Sequence, residues 1–131
     1  MKTYWDSSAL VAATGNLDLR SRLKKEGGTT RTHALAEVFS ALTGGSLEIR
    51  LTADAAAEVV DGLANDLKFV DLNAKETVSA LRQARKRGVR GGRVHDYLHA
   101  VAAEKAGSTR LLTTDRNDFE SLADSLEIEQ F

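Results

Sequence analysis

Acids are the residues of this sequence whose positions best suit chemistry. Asp6 and Asp115 each follow a short β-prone run, at 4–5 and 110–114, while Asp96 stands in the first turn of one helical pattern and Glu37 one turn into another. In an open parallel sheet, ligands gather beyond the carboxyl ends of the strands, where loops and helix N-termini leave a crevice. Four acids distant in sequence can therefore converge on one edge. Converging carboxylates repel, and they stay ionised at neutral pH only where protons or cations offset the charge. The chain has no cysteine, so the donors are hard oxygens, which suit Mg²⁺ or Mn²⁺ better than a soft metal. The chemistry implied is phosphoryl transfer or phosphodiester hydrolysis.

Each acid also has an ordinary structural reading. Asp6 is placed to cap a helix starting near Ala9, and Asp115 stands as a helix-start acid beside Asn117 and Asp118. On a helical wheel Glu37 falls opposite Leu35, Val38, Phe39 and Leu42, and Asp96 falls opposite Val94, Leu98 and Val101, so periodicity alone sends both to solvent. Asp118, three residues after Asp115, is a supporting candidate. Thr113 and Thr114 either meet phosphate or simply close a strand. His33, His95 and His99 lack the spacing of a convincing metal pair, and surface or packing roles are expected for them.

The elements that must position these residues alternate short strands with helices. Beyond the first strand and helix, Thr29 to Thr32 reads as a brief extended segment, and a helix then carries Glu37 until Gly44-Gly45. A helix is expected over 52–67 with Thr52 as its cap, followed by a strand at 68–72. Asn73 and Glu76 form a capping-box pattern for a helix through Val78 and Leu81 that runs into Arg85-Lys86-Arg87 and stops at Gly88. The helix bearing Asp96 ends at Gly107, a strand over 110–114 follows, and a short helix around 119–123 precedes a final extended Ile128. This alternation predicts an α/β fold, a three-layer sandwich around a mostly parallel sheet.

At 131 residues, 42% hydrophobic and 28% charged, the chain is expected to form one ordinary globular domain. Without cysteine, disulfides, thiolate catalysis and cysteine-built zinc sites are excluded. An acid at position 6 stands where a secretory signal needs apolar residues, and no stretch has the apolar length of a membrane span, so a cytoplasmic location without membrane association is expected. A net charge of −1 leaves nucleic-acid binding to local clustering. Such clustering exists. Arg82, Arg85, Lys86, Arg87, Arg90 and Arg93 lie within twelve residues that hold no acid. This stretch can track an RNA backbone or be a solvated helix end favoured by the dipole, and both readings fit.

Taken in order, Tyr-Trp-Asp-Ser-Ser-Ala-Leu around Asp6, Ala-Leu-Ala-Glu-Val-Phe-Ser-Ala-Leu around Glu37, Gly-Gly-Arg-Val-His-Asp-Tyr-Leu around Asp96 and Leu-Leu-Thr-Thr-Asp-Arg-Asn-Asp-Phe around Asp115 resemble the PIN-domain family. The likeness is nearest to VapC-type toxins of toxin–antitoxin pairs. It implies a Mg²⁺- or Mn²⁺-dependent endoribonuclease in which Asp6 and Asp96 are the principal metal ligands, Asp115 completes the site, and Glu37 ligates the metal or orients its water. Ser7 corresponds to a hydroxyl that meets water or phosphate there. An RNA substrate, a cognate antitoxin and a homodimer are the partners so implied. Two other readings stand beside it: a receiver-like signalling domain with Asp71 as phosphoacceptor, and an inactive PIN scaffold used for binding. Against the receiver, the strand ending in Thr113-Thr114-Asp115 offers no lysine where such a domain places one.

Overall fold

Alternation along a strand sends neighbouring side chains to opposite faces. It places Tyr4 and Trp5, adjacent in β1 (Thr3–Trp5), in two different hydrophobic clusters. Leu111 and Leu112 of β4 (Arg110–Thr113) divide in the same way. A sheet apolar on both faces must be covered by helices on both. In the computed structural model, which describes residues 2–44 and 50–131, it is. Helices α1 (Ser7–Gly15), α2 (Leu17–Glu26), α3 (Thr32–Gly44) and α4 (Ala53–Asn65) pack on the Trp5 face. Helices α5 (Ala74–Gln83) and α6 (Val94–Lys105) cover the Tyr4 face.

With β2 (Gly28–Thr30), β3 (Leu67–Phe69) and β5 (Glu127–Gln130), the five-stranded sheet has the order β3-β2-β1-β4-β5, and every neighbouring pair is parallel. The α/β sandwich expected from the sequence is thus present, with a wholly parallel sheet. The chain builds outward from β1 to β3, then returns to the other side of β1 for β4 and β5. Successive connections therefore diverge between β1 and β4, and at such a switch point a crevice opens beyond the strand ends.

Several elements differ from expectation for local reasons. Helix α2 was not anticipated; Asn16 caps it by accepting from the Leu19 N–H, and Gly27 ends it at φ 71°. The extended segment expected through Thr32 stops at Thr30, because the backbone N–H and hydroxyl of Thr32 both donate to Asp71 at the start of α3. Helix α3 reaches Gly44, and Gly45 lies outside the described residues. Helix α4 stops at Asn65, leaving Leu67 to β3, which ends at Phe69, short of 72. The Asn73/Glu76 capping box is formed. Beyond Gln83 the chain tightens into a 3₁₀ turn at Ala84–Arg87, closed by left-handed Gly88. The helix expected around 119–123 is instead a 3₁₀ turn at Arg116–Phe119, since Glu120 and Ser121 leave helical geometry. Among the described residues, no helix is long and apolar enough to cross a membrane.

Candidate active site

Thr113 joins the two strand ends at the switch point. Its hydroxyl donates to Asp6 Oδ2 at 2.7 Å and accepts from the Asp115 N–H at 3.2 Å. Asp6 is 4% exposed, and its other oxygen takes the Ala9 N–H at 2.8 Å and the Ser8 hydroxyl at 2.6 Å. Ser8 in turn accepts from the Thr114 N–H. Asp6 is therefore the cap of α1 and also a carboxylate held at the end of β1 beside β4. Oδ2 accepts one of these bonds and keeps a lone pair free, whereas Oδ1 accepts two and has none left. Asp115 likewise caps the following turn through Asn117 while standing exposed at the same edge.

The acids are close enough to perturb one another. Asp96, half-buried in the first turn of α6, is pushed up to about 6, first by loss of solvation and then by the negative charges of Asp118, Asp6 and Glu37. Asp118 is raised as well, by burial and then by Asp115 and Asp6. Helical periodicity sent Glu37 and Asp96 to solvent; both are only partly exposed.

Glu37 differs in its electrostatics. Burial alone would raise its pKa, but the hydrogen bond and electrostatic pull of His99, together with the Ser7 hydrogen bond, bring it down to about 2. Ser7 Oγ donates to Glu37 Oε1 at 2.8 Å, so this hydroxyl is turned toward an acid of the set. His99 Nε2 lies 3.1 Å from the same oxygen, and Nδ1 lies 2.7 Å from the Tyr4 hydroxyl. The packing role expected for His99 holds, since the ring is buried edge-on against Tyr4, but that expectation did not include these bonds. The available signal was its position one turn after Asp96, on the same side of the helix.

Among the described residues, no three His, Cys, Asp or Glu side chains form a ready-made metal cage. Mg²⁺ commonly uses one or two carboxylates and completes its shell with water and phosphate oxygens. The all-oxygen donors fit such a cation, as do Asp96 and Asp118, raised first by burial and then by neighbouring negative charge. A cavity of about 550 Å³ lies elsewhere, lined by Lys2, Glu26, Gly27, Asp66 and Lys68 among others, and none of the acids named above borders it.

The basic stretch divides. Arg87 pairs with Asp124 at 3.0 and 3.1 Å, and Arg93 donates to the Glu120 carbonyl at 2.6 Å, tying both to the segment after Asp118. Arg82, Arg85, Lys86 and Arg90 are exposed. Asp71, the acceptor of the receiver-like alternative, is engaged in capping α3.

The sequence matches the PIN domain over residues 3–125, and the chain belongs to that family. PIN domains are usually nucleases and generally use divalent metals. The fold is also similar to the crystal structure of PAE2754 from Pyrobaculum aerophilum, with a TM-score of 0.70 at 20% identity, covering 98% of this chain and 89% of that one. No curated protein matches the sequence. The strand order agrees with the family assignment and departs from the 2-1-3-4-5 order of signalling receivers.

Proposed function

We propose that this chain is a Mg²⁺- or Mn²⁺-dependent endoribonuclease, acting as the toxin of a type II toxin–antitoxin pair. The carrying observation is the Thr113 bridge, which fixes the acid-bearing ends of β1 and β4 to each other. Asp96 and Asp118, from two further elements, respond to the charge of Asp6. Asp6, Asp96 and Asp115 would hold the cation, with Glu37 as a further oxygen donor and Asp118 in support. A bound divalent cation supplies Lewis acidity toward a phosphate oxygen and makes water more acidic. The chain itself contributes orientation: Ser8 and Thr113 fix Asp6, and Ser7 holds Glu37.

In this reading the RNA backbone follows Arg85, Lys86 and Arg90, while Arg87 and Arg93 contribute charge from positions already tied to 120–124. Aromatic residues make up only 5% of the chain, so backbone and shape contacts carry as much recognition as stacking. The protein then works in the cytoplasm as a homodimer, restrained by a small antitoxin that covers the acidic edge. Purified protein is expected to cut structured RNA with Mg²⁺ or Mn²⁺ and to stop when a chelator is added. Asp96→Asn should slow cleavage by more than the roughly 10–100-fold that changes around a metal's ligands cost. Cleavage by this variant at the wild-type rate contradicts the reading.

A further inference from the structure

His99 is 2% exposed and engaged at both ring nitrogens. On one side is the Tyr4 hydroxyl, itself fully buried, 2.7 Å from Nδ1. On the other, Nε2 lies 3.1 Å from Glu37 Oε1 and 3.2 Å from Ser7 Oγ. An ionised carboxylate only accepts hydrogen bonds, so Nε2 carries the hydrogen. In the neutral ring Nδ1 is then an acceptor, and the Tyr4 hydroxyl is the donor that meets it. Burial raises the Tyr4 pKa, so the phenol keeps the proton it donates. With the ring neutral, the donors run one way, from Tyr4 through His99 to Glu37.

Ser7 adds a second donor to the same Oε1, whereas Glu37 Oε2 takes no hydrogen bond from a described residue. His99 stands one turn after Asp96 on α6, so the contact to Glu37 ties the acid of α3 to the helix that bears Asp96. We propose that His99 is a positioning residue, held by Tyr4 in the Nε2–H tautomer, that locks Glu37 through Oε1 and leaves Oε2 for the cleavage chemistry. The geometry is independent of the nuclease reading; the consequence for cleavage rests on it.

The test begins with the metal-free full chain at neutral pH, using long-range ¹H–¹⁵N correlation to read the His99 tautomer. Nε2–H is expected in the wild type, with the preference relaxed in Tyr4→Phe. In RNA cleavage, His99→Leu should lower kcat about 10–100-fold with KM unchanged. His99→Gln, whose amide can still donate to Glu37, should recover part of that loss. If His99→Leu does not fold, Tyr4→Phe and His99→Gln decide the matter. An Nδ1–H or doubly protonated ring in the wild type overturns the relay, as does a folded His99→Leu with wild-type kcat. A wild-type chain that cuts no RNA removes the nuclease reading, and the tautomer alone then judges the relay.

Discussion

At Asp96, burial and neighbouring negative charge act together, while at Glu37 the donors overcome burial, and the two acids drive stability in opposite directions with pH. Asp96, near 6 in the fold against an ordinary 3.8, takes up its proton in the folded chain before the unfolded one does. The metal-free protein should therefore gain stability from Asp96 as pH falls from about 6 to about 4. Glu37, near 2 against 4.5, contributes fully above its unfolded value and loses that contribution as pH falls through about 2. Asp96→Asn should remove the first effect and stabilise the metal-free fold at neutral pH by about 1 kcal/mol, after allowance for solvent screening of a half-exposed group. Urea unfolding across pH measures this, and a variant less stable than wild type at neutral pH contradicts it. The sequence singled out four acids as candidates, yet periodicity separates only core from not-core and says nothing of what a partly buried acid faces. His99 packs edge-on against Tyr4, within the packing role expected of it, but its hydrogen bonds were not legible because Tyr4 lies 95 positions away, and no local pattern carries that distance.

Among the elements, β2 depends on the absence of a side chain. A Cβ at Gly28 would come within 2.6 Å of Trp5 Cδ1 and 3.0 Å of Leu23 Cδ1, both in the buried cluster beneath α1–α4. Gly28→Ala should thus cost about 1–3 kcal/mol by overpacking, measurable as a lower urea midpoint; an unchanged midpoint would show that Trp5 yields freely. The strand at Tyr4-Trp5, the strand expected over 110–114, which ends at Thr113, and the capping box at Asn73 were legible because adjacent residues encode alternation and caps directly. Helix α2 was not. Its core contacts are Leu19 and Leu23, and Leu17 is 86% exposed, so no apolar stripe stands out. The ends of β3 and α3 were shifted by the bonds from Thr32 to Asp71, made across 39 positions. Such long-range capping leaves no signature in either segment alone.

For the whole molecule, strand order accomplishes what no single segment can. Because β1 and β4 are neighbours, Asp6 and Asp115 end on one edge despite lying at opposite ends of the sequence, and α6 brings Asp96 and α3 brings Glu37 toward it. A chain of net charge −1 thereby gathers negative charge at one edge and keeps exposed arginines and a lysine in a separate stretch of sequence, an arrangement suited to holding a cation beside a polyanion. We propose this edge as a divalent-metal site. Crystals soaked in Mn²⁺ and measured for anomalous scattering test it most directly. A peak is expected among the carboxylates of Asp6, Asp96 and Asp115; a well-ordered edge with no peak there, or Mn²⁺ bound only elsewhere, would contradict a metal site at this edge.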